Sequence, residues 1–144
     1  MSEPNSEITP VFEITPVFEI TKTAQFDAAH SLPTGPKAAY QKLHGHSFSV
    51  EATVRGAMSG PVGGVADLGE LDVALKALAH ELDHGHLNEH AGLESPTLEH
   101  LCLHFARRLK GDYPGLVRIG VSRPTVGERC VLEIGAPPGG VAGL

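Results

Sequence analysis

Three histidines carry the chemistry that this sequence offers. His44 and His46 sit two apart in the stretch KLHGHSF, and His30 closes the upstream stretch EITKTAQFDAAH. Successive residues of a strand point to opposite faces, so a period of two sorts each stretch into sides. In the first, His30 shares its side with Ile20, Lys22, Ala24, Phe26 and Ala28, a mainly apolar face. In the second, His44 and His46 share theirs with Phe48, Val50, Ala52 and Val54, while Gly45, Ser47, Ser49, Glu51, Thr53 and Arg55 take the other. A hairpin across the intervening loop SLPTGPKAAYQK brings all three imidazoles together at its mouth. Three neutral imidazoles around an open fourth position are the ligand set of a catalytic zinc ion. A lone inward histidine is ordinarily structural, but three on one face predict a metal.

A rival lies downstream. His80, Glu81 and His84 satisfy the H-E-x-x-H spacing of zinc peptidases. That motif needs both histidines to line a cleft. At about 100° per residue, Leu71, Leu75, Leu78 and Leu82 gather in one stripe, and His80 and His84 point away from it. The peptidase reading therefore fails on context. His86 and His90 read as loop or surface residues, and His100 and His104 as the outer side of the next helix.

The elements that position these groups follow from patterning. The hairpin of two strands comes first. A helix is predicted over 67–81, with Asp67 and Glu70 at capping-box spacing. A second helix is predicted in SPTLEHLCLHFARRLKG, with Ser95 as N-cap, Pro96 in its first position, an inward face of Leu98, Leu101, Cys102, Phe105 and Leu109, and Gly111 as its stop. Two strands close the chain, alternating at Val117, Ile119 and Val121 and at Cys130, Leu132 and Ile134. The expected fold class is α+β, in the order ββααββ, with a four-stranded antiparallel sheet and two helices on one face. The expected domain is 20–135, preceded by an arm over 1–19 and followed by a tail over 136–144. The arm holds a repeat, ITPVFE at 8–13 and again at 14–19. Pro10 and Pro16 argue against a central strand there, so it reads as a flexible arm or one that joins a neighbour's sheet edge.

Totals exclude some functions. The chain has 144 residues and a formal net charge of −6, with no cluster of Lys and Arg, so no nucleic-acid partner is expected. Two cysteines are too few for a disulfide framework. MSEPNSEITP has no apolar core of a signal peptide, and no apolar run is long enough to span a bilayer, so a cytoplasmic place and no membrane partner are expected. Two sheet edges and a polar face predict a homo-oligomer.

FDAAH, LHGHSFSVEATVRG, VADLGELDVALK, LDHGHLNE and ESPTLEHLC occur in that order. Together they resemble the 6-pyruvoyl-tetrahydropterin synthase and 6-carboxy-tetrahydropterin synthase family over roughly 20–135. The resemblance implies a tunnelling fold assembled as trimers that stack into hexamers. It implies zinc held by His30, His44 and His46, a dihydroneopterin triphosphate substrate or a related side-chain diol, and a proton relay at Asp83 and His84. Two positions depart from the family pattern. Where the family carries its catalytic cysteine, this chain has Tyr40, and a phenol is a poorer proton acceptor at neutral pH than a thiol. Where the family binds the pterin with a glutamate, this chain has Arg123, which only donates hydrogen bonds. Glu128 or Glu133 is the alternative anchor. Tyr40 thus joins Asp83 and His84 as a catalytic candidate, and Arg123, Thr97 and Glu128 are the substrate-binding candidates. The expectation is a zinc-dependent lyase of the pterin pathway. Its alternatives are a paralogue with another substrate and a non-catalytic zinc- or pterin-binding homologue.

Overall fold

The computed structural model describes residues 13–135. The first repeat copy except Glu13 and the tail over 136–144 lie outside them. Two long strands, β1 (Phe18–His30) and β2 (His44–Gly56), pair antiparallel from Phe18 opposite Gly56 to His30 opposite His44. The last two residues of the second repeat copy, Phe18 and Glu19, already belong to β1. The side with His30 is the buried one: Ala24, Phe26, Ala28, Phe48, Val50 and Ala52 are all in the core. Phe26 stacks on Phe48 with ring centroids 5.0 Å apart.

The connection between them is not all loop. Ala38–Gln41 forms a single helical turn, α1. It is tied back by the Tyr40 carbonyl, which accepts from the Leu32 N–H at 2.7 Å. After β2 comes α2 (Leu68–Leu82), whose N-cap is Asp67, accepting from the N–H groups of Gly69 and Glu70. Its apolar stripe of Leu71, Leu75, Leu78 and Leu82 is buried as the spacing predicts.

The four-stranded antiparallel sheet needs correction. The sheet has five strands in the order β3-β1-β2-β4-β5 and is mixed. The extra strand β3 (Gly85–His86) lies in the segment read as a turn and pairs parallel with Ala28 and Ala29 of β1. Two residues carry no periodicity, so only tertiary pairing reveals them. A 3-10 turn, Leu87–Glu89, follows.

The second long helix, α3 (Leu98–Leu109), starts later than expected. Thr97, not Ser95, is its N-cap, and its hydroxyl accepts from the His100 N–H at 3.1 Å. The Ser95 carbonyl accepts from the Thr97 N–H and the His100 ring, and the Pro96 carbonyl from the His30 ring, so neither carbonyl starts the helical ladder. His104 is also not an outer residue: it is half-buried, with Nε2 enclosed and unpartnered. Strands β4 (Leu116–Arg123) and β5 (Glu128–Glu133) form the last hairpin. A bulge opposite Thr53 and Val54 shifts β4, so Leu116 rather than Val117 fills the core. No helix of the described residues is long and apolar enough to cross a membrane.

Candidate metal centre and its cavities

The β1–β2 register sets the centre. His30 and His44 are direct partners and His46 lies one inward-facing step further along β2. Their ring centroids are 4.7, 5.0 and 4.9 Å apart, and one nitrogen from each ring falls within 4.8 Å of the others. Among the described residues no other group of three His, Cys, Asp or Glu side chains converges in this way.

Hydrogen bonds fix two tautomers. The His30 Nδ1–H donates to the Pro96 carbonyl at 3.1 Å, and the His44 Nδ1–H to the Lys42 carbonyl at 2.7 Å. A carbonyl cannot donate, so each Nδ1 must hold a proton, and each neutral ring presents a bare lone pair at Nε2. Those two Nε2 atoms are 3.1 Å apart. Two lone pairs so close repel unless a cation lies between them. Nitrogens about 2.0–2.1 Å from a tetrahedral zinc are about 3.3 Å apart, close to this spacing. His30 is fully buried, and burial, followed by the neighbouring histidines and Arg123, pulls its pKa down to about 4. It is therefore a neutral ligand at physiological pH. Burial and then Arg123 also lower that of His46. The donor set, the fixed tautomers and the spacing all fit a metal.

Next to the centre is a cavity of about 540 Å³, lined by His46, Asp27, Ser47, Thr125 and His84 among others. His84 ends the turn after α2 with φ 57°, a left-handed conformation that puts its side chain in the open. Its Nδ1–H donates to Asp83 Oδ2 at 2.9 Å, while Asp83 Oδ1 accepts the Asp27 N–H at the same distance. Those contacts, the Asp27 N–H first and His84 second, hold the Asp83 carboxyl below its ordinary pKa. Asp83 thus orients His84 and leaves its Nε2 to the cavity.

A second cavity, about 500 Å³, is lined by Leu32, Thr97, Arg123, Gly127, Glu128 and Arg129 among others. It gathers all three substrate-binding candidates. Tyr40 lines neither cavity; it is 39% exposed, with the Lys37 ammonium 5.8 Å from its ring centre. His80 is exposed on α2 and apart from the centre, as its place on the helix predicts. Glu81 forms a bidentate pair with Arg108 of α3 at 2.9 Å. Cys102 is buried, and burial pushes its thiol up to about 12.

Two supporting contacts escaped sequence reasoning. Asn88 donates to the Ser31 carbonyl and accepts the Ser31 N–H, locking the chain beside His30 to the segment after β3. Nothing in the LDHGHLNE stretch signals this partner. The Pro96 carbonyl that orients His30 is a backbone group and has no sequence signature.

An α+β domain whose central hairpin gathers three imidazoles, with an Asp-braced histidine in the cavity beside one of them, offers a metal ion three ligands. The family model of 6-pyruvoyl tetrahydropterin synthase matches residues 19–133, and the chain belongs to that family. Among its relatives is the dihydroneopterin monophosphate aldolase of Pyrococcus furiosus, 34% identical over 96 residues, which are 67% of this chain and 78% of that one. Another is the 6-carboxy-5,6,7,8-tetrahydropterin synthase of Synechocystis, 36% identical over 106 residues, covering 69% and 81% of the two chains. The fold matches Caenorhabditis elegans 6-pyruvoyl tetrahydropterin synthase with a TM-score of 0.72 at 19% identity, over 86% of this chain and all of that one. A Plasmodium vivax 6-pyruvoyltetrahydropterin synthase, a catalytic residue mutant with cysteine in place of glutamate, matches with a TM-score of 0.63 at 17% identity, over 83% and 99% of the chains.

Proposed function

We propose that this pterin-pathway protein is a zinc-dependent lyase that cleaves the side chain of a dihydroneopterin phosphate between C1′ and C2′. The observation that carries the reading is the three-imidazole centre, whose His46 borders the cavity that His84 also lines. A zinc ion held there would supply Lewis acidity toward the substrate's side-chain hydroxyls. His30, His44 and His46 would hold it, the first two oriented by the Pro96 and Lys42 carbonyls respectively. His84, held by Asp83, accepts the C2′ hydroxyl proton and returns it to C1′. The C1′–C2′ electron pair moves into the conjugated ring and C2′ becomes an aldehyde. The products are a 6-hydroxymethyl-dihydropterin and glycolaldehyde phosphate, and atoms balance without an oxidant.

The departure at Tyr40 favours this reaction. Forming a 6-pyruvoyl product requires carbon-bound protons to be removed, which calls for a dedicated base beside the metal. Side-chain cleavage removes only a hydroxyl proton, far more acidic, and the aldolase relative at 34% identity is named for such a cleavage. The second reading is formation of a 6-carboxy- or 6-pyruvoyl-tetrahydropterin, on the strength of the 36% identical relative, with Tyr40 as base. Among the described residues β5 and most of β1 leave open edges, which supports a homo-oligomer, a trimer or hexamer.

The test incubates the zinc-loaded protein with 7,8-dihydroneopterin monophosphate and, separately, triphosphate, and separates the fluorescent products. A 6-hydroxymethyl product is expected. A 6-carboxy or 6-pyruvoyl product would establish the second reading, and no turnover of either substrate would remove both.

A further inference from the structure

The chain's two thiols take no part in the chemistry of the metal centre, yet they lie side by side. Cys102 stands on the inward face of α3, and Cys130 lies in β5. In the last hairpin Cys130 pairs with Val121 of β4, and its side chain packs against the core. The Cys102 thiol donates to the Cys130 carbonyl at 3.6 Å and to the Ile119 carbonyl at 3.8 Å. Burial pushes that thiol up to about 12, and the Cys130 thiol beside it is the next cause. Two positions 28 apart in sequence thus meet where helix and sheet pack.

A buried cysteine on its own serves as a small apolar filler. A second thiol at its side, with different access to solvent, changes what the pair can do. Cys102 is 1% exposed, whereas Cys130 is half-buried and open to a small reagent. A soft metal ion and an oxidant are the two reagents that join thiols. The metal needs both as thiolates. Cys102 is poorly placed for that, because the two carbonyl oxygens that accept its proton would face the bare anion. A disulfide is neutral and apolar, and so suits the interior. It would also join the two walls of the second cavity. Thr97, Leu98 and Glu99 on one wall lead into the turn of α3 that holds Cys102, and Gly127, Glu128 and Arg129 on the other run directly into Cys130.

We propose that Cys102 and Cys130 form a reversible disulfide, with a peroxide as oxidant, that ties α3 to β5 between the walls of the second cavity. Cys130 reacts first. Its sulfur attacks one peroxide oxygen, the S–O bond forms, the O–O bond breaks, and hydroxide leaves with the thiol proton as water. The product is a sulfenic acid at Cys130. The Cys102 sulfur then attacks the Cys130 sulfur. The S–S bond forms, the S–O bond breaks, and the hydroxyl takes the Cys102 proton as a second water. Two thiols are oxidised to one disulfide, and one peroxide is reduced to two waters. The second step is the slower, because Cys102 holds its proton firmly. A dithiol reductant reverses the bond.

The experiment treats the full chain with hydrogen peroxide at neutral pH, with metal content measured before and after. Free thiols are counted after denaturation, and mass spectrometry and thermal melts follow, each with and without dithiothreitol. Both thiols should disappear, the mass should fall by two hydrogen atoms, and a peptide pair joining Cys102 to Cys130 should appear within a single chain. Closing a loop of this length should raise the melting temperature by roughly 5–10 °C, and dithiothreitol should reverse the change. Cys130→Ser should leave Cys102 reduced under the same treatment. Cys102→Ala should let Cys130 gain oxygen without a crosslink, and neither variant should show the melting shift. Two thiols still free in the treated parent would overturn the proposal. So would a crosslink between chains in place of one within the chain, or oxygen added at Cys130 while Cys102 stays free. No measurement here uses turnover, so failure of the disulfide leaves the lyase reading standing, and failure of that reading leaves the disulfide.

Discussion

Replacing His44 by Ala should abolish metal-dependent stabilisation. In the folded chain the Nε2 atoms of His30 and His44 are 3.1 Å apart, within about 0.3 Å of the spacing a tetrahedral zinc demands. Both rings are already held through Nδ1, so little of the binding energy goes to rearrangement. A metal ion that binds the folded chain and not the unfolded one stabilises it by about 4 kcal/mol when free metal exceeds the dissociation constant a thousandfold. For a domain of this size one kcal/mol moves the melting temperature by about 3 °C, so zinc should raise it by roughly 10 °C. His44→Ala removes one of three ligands, and the shift should shrink to about 2 °C or less. The half-exposed position of His44 means that the variant itself should fold. His80→Ala, on the exposed face of α2, serves as control and should keep the full shift. Thermal melts with zinc and with a chelator, paired with metal analysis, read all three proteins. An equal zinc shift in His44→Ala and the parent would refute the three-ligand centre. Loss of the shift in His80→Ala would redirect attention to the H-E-x-x-H spacing.

Asp83→Asn should lower kcat about 10–100-fold, with zinc content unchanged, because the amide no longer holds His84 in one tautomer; steady-state kinetics with metal analysis check it. His104 has its pKa lowered below 6.5, first by burial and then by the charges of Arg108 and His90, with Glu81 opposing. The unfolded chain therefore binds a proton more readily than the folded one just below that value, and stability falls as pH drops through it. His104→Gln should flatten that decline, as read by urea midpoints between about pH 7 and pH 5. Gly127→Ala should cost about 1–2 kcal/mol because its φ of 70° is left-handed. Melting midpoints of the variant and the parent check it.

Strand periodicity alone placed His30, His44 and His46 on the buried side, and the observed register sets them together. The same reasoning read α2 and the core face of α3 correctly, since both have strong apolar stripes. What escaped were features whose cause lies far off in sequence. β3 exists because Gly85 and His86 find Ala28 and Ala29. Thr97 caps α3 because the carbonyls of Ser95 and Pro96 serve histidine rings. The β4 bulge swaps Val117 for Leu116 in the core, and no alternation of apolar residues announces a one-residue slip. The Asp27 N–H that fixes Asp83 is equally silent in the sequence, because it is backbone.

His84 occupies a left-handed backbone position, where the residue types that sit easily are few: glycine above all, then asparagine, aspartate and histidine. Its conformation is one that glycine would adopt with less strain. Folding and the chemistry proposed for His84 therefore pull in opposite directions at this one site. A population of variants sorted only for resistance to heat would drift toward glycine there and shed the imidazole as it hardened. Sorted for turnover instead, it would keep the strain. The residue found at 84 in any descendant of this chain thus records which of the two pressures it has lived under.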